Sequence, residues 1–413
     1  MLEKTREIIH SFQFLDQVRL YQKAFTRERK MGFTKLIAFI LNLTRKSLQL
    51  ELDEFMALLQ DNDINITKQS FSEARLKISP DAFKILFQEI IKTFYTATDI
   101  TTYRDYRLLA IDGTTLELPN TEELRTEFGS AINRFDQIAR ARVSGLYDVE
   151  NNLMVDAIIE RYDCDERTLA SRHIEALLEY GLHNDLILLD RGYPSKELIA
   201  KLYKAKINFL MRVSDYFIKE AQQAKKADQI VEFQYKGEKY KLRVLRFKLE
   251  SGEEEILVSS LLDPGFTVDD FKTLYFKRWG IEVKYNELKH KLEIENFTGE
   301  KPIAIRQDFY ASMYLSNMAA LAKMQSDEVI KEQNDDKELK YQYQTNMNLL
   351  IGKLKDNLIL MMLEPNNTKR VRMYNQIMKE IARNAVPIRP GRHNVRKKHF
   401  NRDRHPMNQK RNL

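Results

Sequence analysis

Hydrophobic residues recur at helical spacing through residues 1 to about 104, as in Ile8, Ile9, Phe12 and Leu15. Two helix-start signals follow. Ser70-Phe71-Ser72-Glu73 has the spacing of a capping box, and Ser79-Pro80-Asp81 places a capping serine before a proline at the first helical position. Together they predict a short helix from Ser70, a turn at Lys77-Ile78-Ser79, and a longer second helix.

These two closely joined helices have two interpretations. They could form a helix-turn-helix DNA reader, with Lys68, Arg75 and Lys77 facing phosphates. They could equally form an ordinary helical hairpin with no such role. Spacing alone favours the hairpin.

From Tyr103 the pattern changes to strands. Apolar runs of strand length occur at residues 108–111, 142–147, 153–159, 186–189 and 208–213. Amphipathic helical patterns occur at about residues 166–180 and 196–204. Three strands, a helix, a strand, a helix and a strand predict an α/β domain with a mixed sheet.

A strand-rich stretch from about residue 214 to 263 interrupts this alternation. Its candidate strands, residues 229–235, 239–247 and 255–261, are joined at Lys236-Gly237 and Ser251-Gly252. After Pro264-Gly265 the chain reads as helical to about residue 383. The predicted organisation is an N-terminal helical region, an α/β domain, a strand insertion within it, a C-terminal helical region and a basic, disordered tail. The N-terminal region is predicted at residues 1–104 and the α/β domain at 105–213 together with 264–325. The strand insertion is predicted at 214–263, the C-terminal helical region at 326–380 and the tail at 381–413.

Composition narrows the class of protein. With 413 residues, 43% of them hydrophobic, the chain can bury a large core in two or three domains. Its longest apolar run, residues 36–43, is far short of the roughly 20 residues that cross a bilayer, and the first residues lack a secretory signal. We therefore expect a soluble cytoplasmic protein without a membrane partner. A single cysteine, Cys164, excludes an internal disulfide and a zinc site with several thiolates, so any metal should have oxygen ligands.

Positive charge is concentrated at the C-terminus. Residues 381–413 contain ten Lys or Arg and one acid, Asp403, a local charge of +9. Since the whole chain carries +7, the first 380 residues carry −2. Such a tail suits a polyanion, because each neutralised phosphate releases condensed counterions. The alternative is a solvated end with no specific role, and charge alone favours nucleic acid.

Two aspartates follow apolar strands. Asp112 comes after residues 108–111 and Asp190 after residues 186–189, which places both at the rim of a sheet, where open α/β sheets bind ligands. Each could instead be a turn residue, since both are followed closely by glycine. A phosphatase with Asp112 as nucleophile is disfavoured, because Thr114 stands where that chemistry needs a second acid.

The segment 275–289 combines charge with helical spacing. On an ideal helix, Tyr275, Arg278, Glu282 and Lys289 fall within an arc of roughly 60°. An apolar stripe to one side consists of Leu274, Ile281, Leu288 and Leu292. One helix could thus hold a metal ligand and grip phosphates, or merely present a solvated face with an Arg278–Glu282 ion pair. Trp279, the only tryptophan, could stack on an unpaired base, although core packing is the commoner fate.

The spacing Tyr275-x₂-Arg278-x₃-Glu282-x₆-Lys289 resembles the tyrosine–arginine–glutamate–lysine (YREK) signature of DDE transposases in the insertion-sequence-four (IS4) group. Asp112-Gly113-Thr114 and Asp190-Arg191-Gly192-Tyr193 resemble that group's two aspartate motifs. The strand insertion and the N-terminal helical region are also similar to the group. The resemblance extends over nearly the whole chain.

The resemblance implies a ribonuclease H-like catalytic domain in which Asp112, Asp190 and Glu282 bind two Mg²⁺ or Mn²⁺ ions. It also implies that Tyr275, Arg278 and Lys289 contact DNA phosphates near the transposon end. In relatives a tryptophan stabilises a flipped base during hairpin formation, and whether Trp279 has that role stays open.

Elementary chemistry fits this implication. Two divalent cations can stabilise both the attacking and the leaving oxygen of a phosphodiester, and carboxylates are suitable ligands for them. Arg278 could bind a phosphate through two hydrogen bonds, and Lys289 could act as a point charge.

The expected function is that of a cut-and-paste transposase. It would act as a homodimer on double-stranded DNA, both inverted repeats and target, in association with the bacterial nucleoid. The alternatives are a non-transposing nuclease and a catalytically silent DNA-binding protein derived from such an element. The presence of all three acids disfavours the silent protein.

Overall fold

The structure is a computed structural model that describes residues 1–389 except 28, 43–45, 62–64, 98, 133–135, 182, 215 and 250–251. From residue 390 on, the predicted basic tail lies outside the described residues. The chain forms two compact units. The first unit contains Met1–Phe94, Glu117–Arg140 and the described residues from Glu287 on; the second contains Tyr95–Leu116 and Ala141–Asn286.

The strands and helices predicted between residues 108 and 261 are present in the predicted order. The helices are α1 (Leu2–Ile9), α2 (Phe12–Val18), α3 (Phe33–Ile40), α4 (Leu48–Leu58), α5 (Lys68–Arg75), α6 (Asp81–Ala97), α7 (Glu122–Phe128), α8 (Glu166–Tyr180), α9 (Lys196–Lys204), α10 (Lys219–Gln223), α11 (Val268–Lys277), α12 (Trp279–His290), α13 (Pro302–Asn334), α14 (Met347–Leu363) and α15 (Asn367–Arg383). The strands are β1 (Arg107–Glu117), β2 (Ser130–Ile132), β3 (Gln137–Asp148), β4 (Leu153–Arg161), β5 (Asp185–Leu189), β6 (Asn208–Arg212), β7 (Asp228–Tyr235), β8 (Glu238–Lys248), β9 (Glu254–Ser259), β10 (Tyr343–Gln344) and β11 (Val386–Pro387). The structure thus adds five elements that the pattern does not predict, α7, α10, β2, β10 and β11.

The first unit is mainly helical, and one of its predicted helix starts is wrong. Helix α5 begins at Lys68 because the Thr67 side chain caps it, accepting the amide N–H of Ser70 at 3.2 Å. The expected capping box at Ser70 therefore lies inside the helix. At the second start, the Ser79 hydroxyl accepts the amide N–H of Asp81, as the sequence indicates.

Arg75 holds α5 against the N-terminal part of α13 and the residues just before it. Its side chain is 2% exposed, and its guanidinium donates to Asp308 at 2.7 Å, Thr298 at 2.6 Å and Gln307 at 2.9 Å. A guanidinium with these buried partners cannot also face a DNA phosphate. The helix-turn-helix interpretation is therefore wrong at Arg75, whereas the hairpin interpretation of α5 and α6 stays a prediction.

The second unit is built on a mixed sheet. Among the described residues the strand order is β4-β3-β1-β5-β6-β9-β8-β7, with β2 paired to the beginning of β3. Strands β1, β5 and β6 are parallel, and β9 adds antiparallel to β6, so the insertion extends the same sheet. All residues of β5 are buried. The expected α/β class with a mixed sheet, a strand insertion and helical flanks is confirmed.

The two aspartates occupy different positions on this sheet. Asp190 directly follows the last residue of β5, as expected. Strand β1 continues to Glu117, so Asp112 lies within a strand, and the predicted strand end and the turn interpretation are both wrong there. The residues after Asp112 are polar and half-buried, which ends the apolar run but not the strand.

The predicted helix through residues 275–289 is divided in two. Helices α11 and α12 meet at Arg278, where the Arg278 amide donates to the Tyr275 carbonyl and the Ile281 amide donates to the Arg278 carbonyl. These are the short i to i−3 bonds of a tighter turn. The apolar stripe of Leu274, Ile281, Leu288 and Leu292 is nevertheless buried, as predicted. No helix within the described ranges is long and apolar enough to span a membrane.

Candidate active site

Three carboxylates from three separate elements surround one guanidinium in the second unit. Arg278 Nη1 lies 3.3 Å from Asp112 Oδ2 on β1, and Nη2 lies 2.9 Å from Glu282 Oε1 on α12. The same Nη2 lies 3.8 Å from Asp190 Oδ2, just after β5. The Arg278 side chain is only 5% exposed. The fold thus brings the three acids predicted from the sequence to one place.

Burial and neighbouring charge change the acidity of Asp112. Burial raises the pKa of Asp112, and the negative charges of Glu282 and Asp190 add to this effect. Two other groups lower this pKa. They are the Gly113 amide, which donates to Asp112 Oδ1 at 2.8 Å, and the positive charge of Arg278. The resulting pKa of Asp112 is about 6. Arg278 therefore offsets part of the cost of holding a buried carboxylate beside two others.

Asp190 responds differently to the same surroundings. Burial raises its pKa, but the Arg191 amide, the charge of Arg278 and the Tyr275 hydroxyl outweigh that effect, and the pKa of Asp190 is lowered. Tyr275 donates to Asp190 Oδ1 at 2.9 Å. Burial, together with the charge of Asp190, raises the pKa of Tyr275, which keeps its hydroxyl protonated as a donor. Tyr275 is thus directed at a carboxylate of the site.

Trp279 is 52% exposed, which excludes the core-packing alternative, while its contact with DNA stays a prediction. It is the first residue of α12, directly after the break between the two helices. The guanidinium carbon of Arg278 lies 5.8 Å from the centre of the indole ring, within cation–π range. An exposed aromatic face next to the acidic site is consistent with stacking on a ligand.

Lys289 belongs to the first unit. It lies near the end of α12, and its Nζ is 3.8 Å from Glu295 Oε1. Its contact with DNA phosphate stays a prediction.

The acids fit hard divalent cations by their chemistry, but they are not arranged as a ready-made metal site. Within the part of the chain that the structure describes, no group of three or more His, Cys, Asp or Glu side chains is placed to hold a metal ion. Around Asp112, Asp190 and Glu282 the positive charge is supplied by Arg278 instead. Three carboxylates offer the oxygen ligands that Mg²⁺ and Mn²⁺ prefer. A divalent cation bound here would compete with the guanidinium of Arg278 for the same carboxylate oxygens.

Sequence patterns did not identify Tyr285 as part of this site. Its hydroxyl donates to the backbone carbonyl of Asp112 at 2.7 Å and accepts from the Gly145 amide. Because Tyr285 lies one helical turn after Glu282, it ties the helix that carries one acid to the strand that carries another. A Cβ at Gly145 would stand 2.4 Å from Met154 Cε and 2.9 Å from this hydroxyl, so the glycine leaves room for both side chains. A buried aromatic at helical spacing usually indicates only core, and no other signal was available.

A fourth carboxylate explains the glycines of both aspartate motifs. A Cβ at Gly113 would lie 3.0 Å from Glu166 Oε1, and a Cβ at Gly192 would lie 3.2 Å from Glu166 Oε2. Glu166 is held by Arg142, whose Nη1 donates to Oε1 at 2.9 Å. The two motifs thus approach the same side chain, and a larger residue at either glycine would crowd it.

Comparison with known proteins gives this site a context. The family model described as "Transposase DDE domain" matches residues 103–318, which is more than half of the chain. The transposase InsG for insertion sequence element IS4 of Escherichia coli (strain K12) is 23% identical over 297 residues. That match covers 66% of this chain and 65% of InsG, so the chain spans slightly less than two thirds of that relative's length.

A likeness to a solved structure is weaker. The piggyBac transposase in a cryo-EM structure of its synaptic complex with hairpin DNA has a TM-score of 0.49 and 9% identity. The match covers 91% of this chain and 85% of the other, and at that score it carries no argument about this protein. The family match over residues 103–318 includes all three acids of the site. The chain belongs to the DDE transposase family.

Proposed function

We propose that the protein is a cut-and-paste DNA transposase with a ribonuclease H-like catalytic unit. It binds the terminal inverted repeats of its own insertion sequence, cleaves the ends and joins them to target DNA. The observation that carries the proposal is the convergence of Asp112, Asp190 and Glu282 on Arg278. Membership of the family supports it.

In this proposal Asp112, Asp190 and Glu282 are the ligands of two Mg²⁺ or Mn²⁺ ions. Such ions, when bound, polarise the scissile phosphate and stabilise the attacking and leaving oxygens. Arg278, released from the carboxylates, binds a phosphate through two parallel hydrogen bonds. Tyr275 and Lys289 contribute further phosphate contacts.

The remaining steps concern the DNA ends. Water hydrolyses one phosphodiester and frees a 3′-hydroxyl, which attacks the phosphodiester of the opposite strand. The bond from that phosphorus to the 3′-oxygen of the flanking DNA breaks, the flanking DNA leaves with a 3′-hydroxyl, and a second water opens the resulting hairpin before strand transfer. The exposed ring of Trp279 is suited to stack on an unpaired base during hairpin formation. Two copies of the chain act together, one on each end of the element.

The direct test is cleavage of a linear duplex that carries one end of the element, in the presence of Mg²⁺. Glu282→Gln removes a charged ligand without changing side-chain size, and we expect cleavage to fall by at least about a thousandfold, which corresponds to roughly 4 kcal/mol of activation free energy. Glu287→Gln makes the same change five residues further along α12 and should retain cleavage. Full Mg²⁺-dependent cleavage by Glu282→Gln would refute the assignment.

Strand transfer separates the transposase from its alternatives. Given a pre-cut end and a supercoiled plasmid, a transposase joins the two. A nuclease without transposition activity cuts but does not join, and a silent DNA-binding protein does neither. Joining that depends on Glu282 is the result we expect.

A further inference from the structure

We propose that a cationic pocket in the first unit binds the phosphate backbone of DNA. The pocket has a volume of about 210 Å³ and lies where the loop between α2 and α3 meets the turn between α5 and α6. We call it the loop pocket, defined by its four basic residues Lys23, Arg27, Arg29 and Lys77. The inference rests on the proposed function and specifies a DNA contact outside the carboxylate site.

The cations of the loop pocket have no carboxylate partner among the residues that the structure describes. The segment from Arg19 to Lys30 contains five Lys or Arg and one acid, Glu28, which lies outside the described residues. Among residues that the structure describes, none of the four pocket cations forms an ion pair, whereas Arg19 next to them is paired with Asp16. Cations gathered without partners repel one another, and an anionic ligand relieves that repulsion.

The part of the loop next to Lys23 packs against the helical core. Phe25 adopts a left-handed conformation, with φ 59°, which is uncommon for a bulky residue. Its ring packs edge-on against Phe33 with 5.7 Å between centroids, and the neighbouring Ala24 is buried. This anchored conformation presents the cations without a large entropy cost on binding.

The second wall of the loop pocket is joined to the first by backbone hydrogen bonds. The Leu20 amide donates to the Lys77 carbonyl at 3.0 Å, and the Ser79 amide donates to the Val18 carbonyl at 2.8 Å. Lys77 is thereby held beside the loop cations. Of the three basic residues in the helix-turn-helix interpretation, Lys77 is the one that the fold places in this pocket.

A polymer of phosphates suits the loop pocket better than a small molecule does. Its volume is below the roughly 300–1,000 Å³ of typical small-molecule sites, and few buried polar groups could specify an orientation. Tyr21, which also lines it, is half exposed and offers a hydroxyl of the kind that contacts phosphate oxygens. We infer backbone contacts that position the DNA without reading its bases.

The test is the salt dependence of DNA binding, measured by fluorescence anisotropy with the full chain and a labelled duplex. The variant replaces Lys23, Arg27, Arg29 and Lys77 together by glutamine. Each lost phosphate contact should reduce the slope of log K against log salt by about 0.9, so the slope should become shallower by about three to four. At about 0.1 M salt, affinity should fall at least about tenfold. Thermal stability should be unchanged, because these side chains make no ion pair within the described residues.

A matched control removes the same charge from elsewhere in the first unit. It replaces Lys331, Lys337, Lys340 and Arg372, which are all exposed, by glutamine. The control should keep the wild-type slope. Equal loss of slope in both variants, or none in the pocket variant, would overturn the proposal.

Failure of this inference and failure of the proposed function give different results. If the wild type cleaves and binds DNA but the pocket variant keeps its slope, only the loop pocket is wrong. If the wild type neither binds nor cleaves, the proposed function fails and the pocket fails with it. Vesicles containing anionic lipid serve as a second probe, and a pocket variant that loses vesicle binding while keeping DNA binding would also overturn the inference.

Discussion

Arg278 is the residue on which the geometry of the site depends most. It is the only group within 4 Å of all three acids that the described contacts reveal, and it brings one positive charge to three negative ones. The same residue is expected to bind DNA phosphate. It cannot occupy both places, so in the DNA-free protein it competes with any divalent cation for the carboxylates.

Arg278→Gln should therefore strengthen metal binding in the absence of DNA. Removal of a unit positive charge 3–4 Å from a carboxylate changes the free energy of metal binding by up to a few kcal/mol at an effective dielectric constant near 20. Because the acids are partly exposed, solvent screening reduces the expected gain, and we expect metal affinity to rise about tenfold. Titration calorimetry with Mn²⁺ measures it. Arg278→Lys, which keeps the charge, should lie between the variant and the wild type.

The same substitution should lower stability when metal is chelated, because the three acids lose their counter-charge. Thermal unfolding in excess chelator, compared with unfolding in excess Mn²⁺, should show a larger stabilisation by metal for Arg278→Gln than for the wild type. Metal affinity equal to or weaker than that of the wild type would show that the guanidinium does not compete.

Tyr285 is expected to position two acids relative to each other. Tyr285→Phe removes the hydrogen bond to the Asp112 carbonyl and should cost about 1 kcal/mol in unfolding free energy. Its larger effect should be on kcat for cleavage, with DNA affinity almost unchanged, because the acids and not the DNA contacts are displaced. Gly145→Ala should lower both stability and kcat, because its Cβ would stand 2.4 Å from Met154 Cε and 2.9 Å from the Tyr285 hydroxyl. Wild-type kcat in Tyr285→Phe would contradict a positioning role.

At the scale of elements, Arg75 anchors α5. Arg75→Met removes the charged partner of the half-buried Asp308, which keeps only its hydrogen bonds from Thr298, and loss of one member of such a pair costs about 3 kcal/mol. Lys68→Met, on the same helix but exposed, should cost little. Urea unfolding of both variants distinguishes them. A small change for Arg75→Met would mean that the buried contacts contribute little, and the phosphate role would have to be reconsidered.

Elements with strong local signals could be predicted closely. The bounds of α8 and α9 agree with the hydrophobic periodicity, and α8 is capped by Asp165 and α9 by Ser195. The end of β1 could not be predicted, because polar residues continue the strand beyond Asp112. Likewise, the helical periodicity of hydrophobic residues continues across Arg278. The division between α11 and α12, which the i to i−3 hydrogen bonds mark, could therefore not be predicted from the sequence.

The three acids of the site could be predicted from local sequence, whereas most of their contacts with other residues could not. Spacing and family motifs identified Asp112, Asp190 and Glu282, because an acid that follows an apolar strand or lies on a polar helix face can be recognised from the sequence alone. Three other features depend on residues far apart in the chain. These are the contacts of Arg278 with Asp112 and Asp190, the hydrogen bond from Tyr285 to the Asp112 carbonyl, and the proximity of Glu166 to Gly113 and Gly192. No periodicity encodes such pairs.

At the scale of the whole molecule, positive charge is unevenly distributed. Residues 390–413 contain eight Lys or Arg and one acid, so that segment accounts for the entire formal charge of +7. The rest of the chain is neutral overall, yet it includes the loop pocket, where four cations are gathered. Local clusters and the C-terminal segment should therefore contribute separately to DNA binding.

A chain ending at residue 389 should bind DNA of any sequence more weakly, with a salt slope reduced by up to about seven if every lost cation contacts a phosphate. Because the segment contains none of the proposed metal ligands, cleavage at saturating DNA should stay within about twofold of the wild type, a difference of under 0.5 kcal/mol. Anisotropy at several salt concentrations and single-turnover cleavage measure the two effects. When the shortened chain also carries the loop-pocket substitutions, the two reductions in salt slope should add, since the two sets of cations would contact different phosphates. An unchanged slope in the shortened chain would mean that the C-terminal charge serves some purpose other than DNA binding.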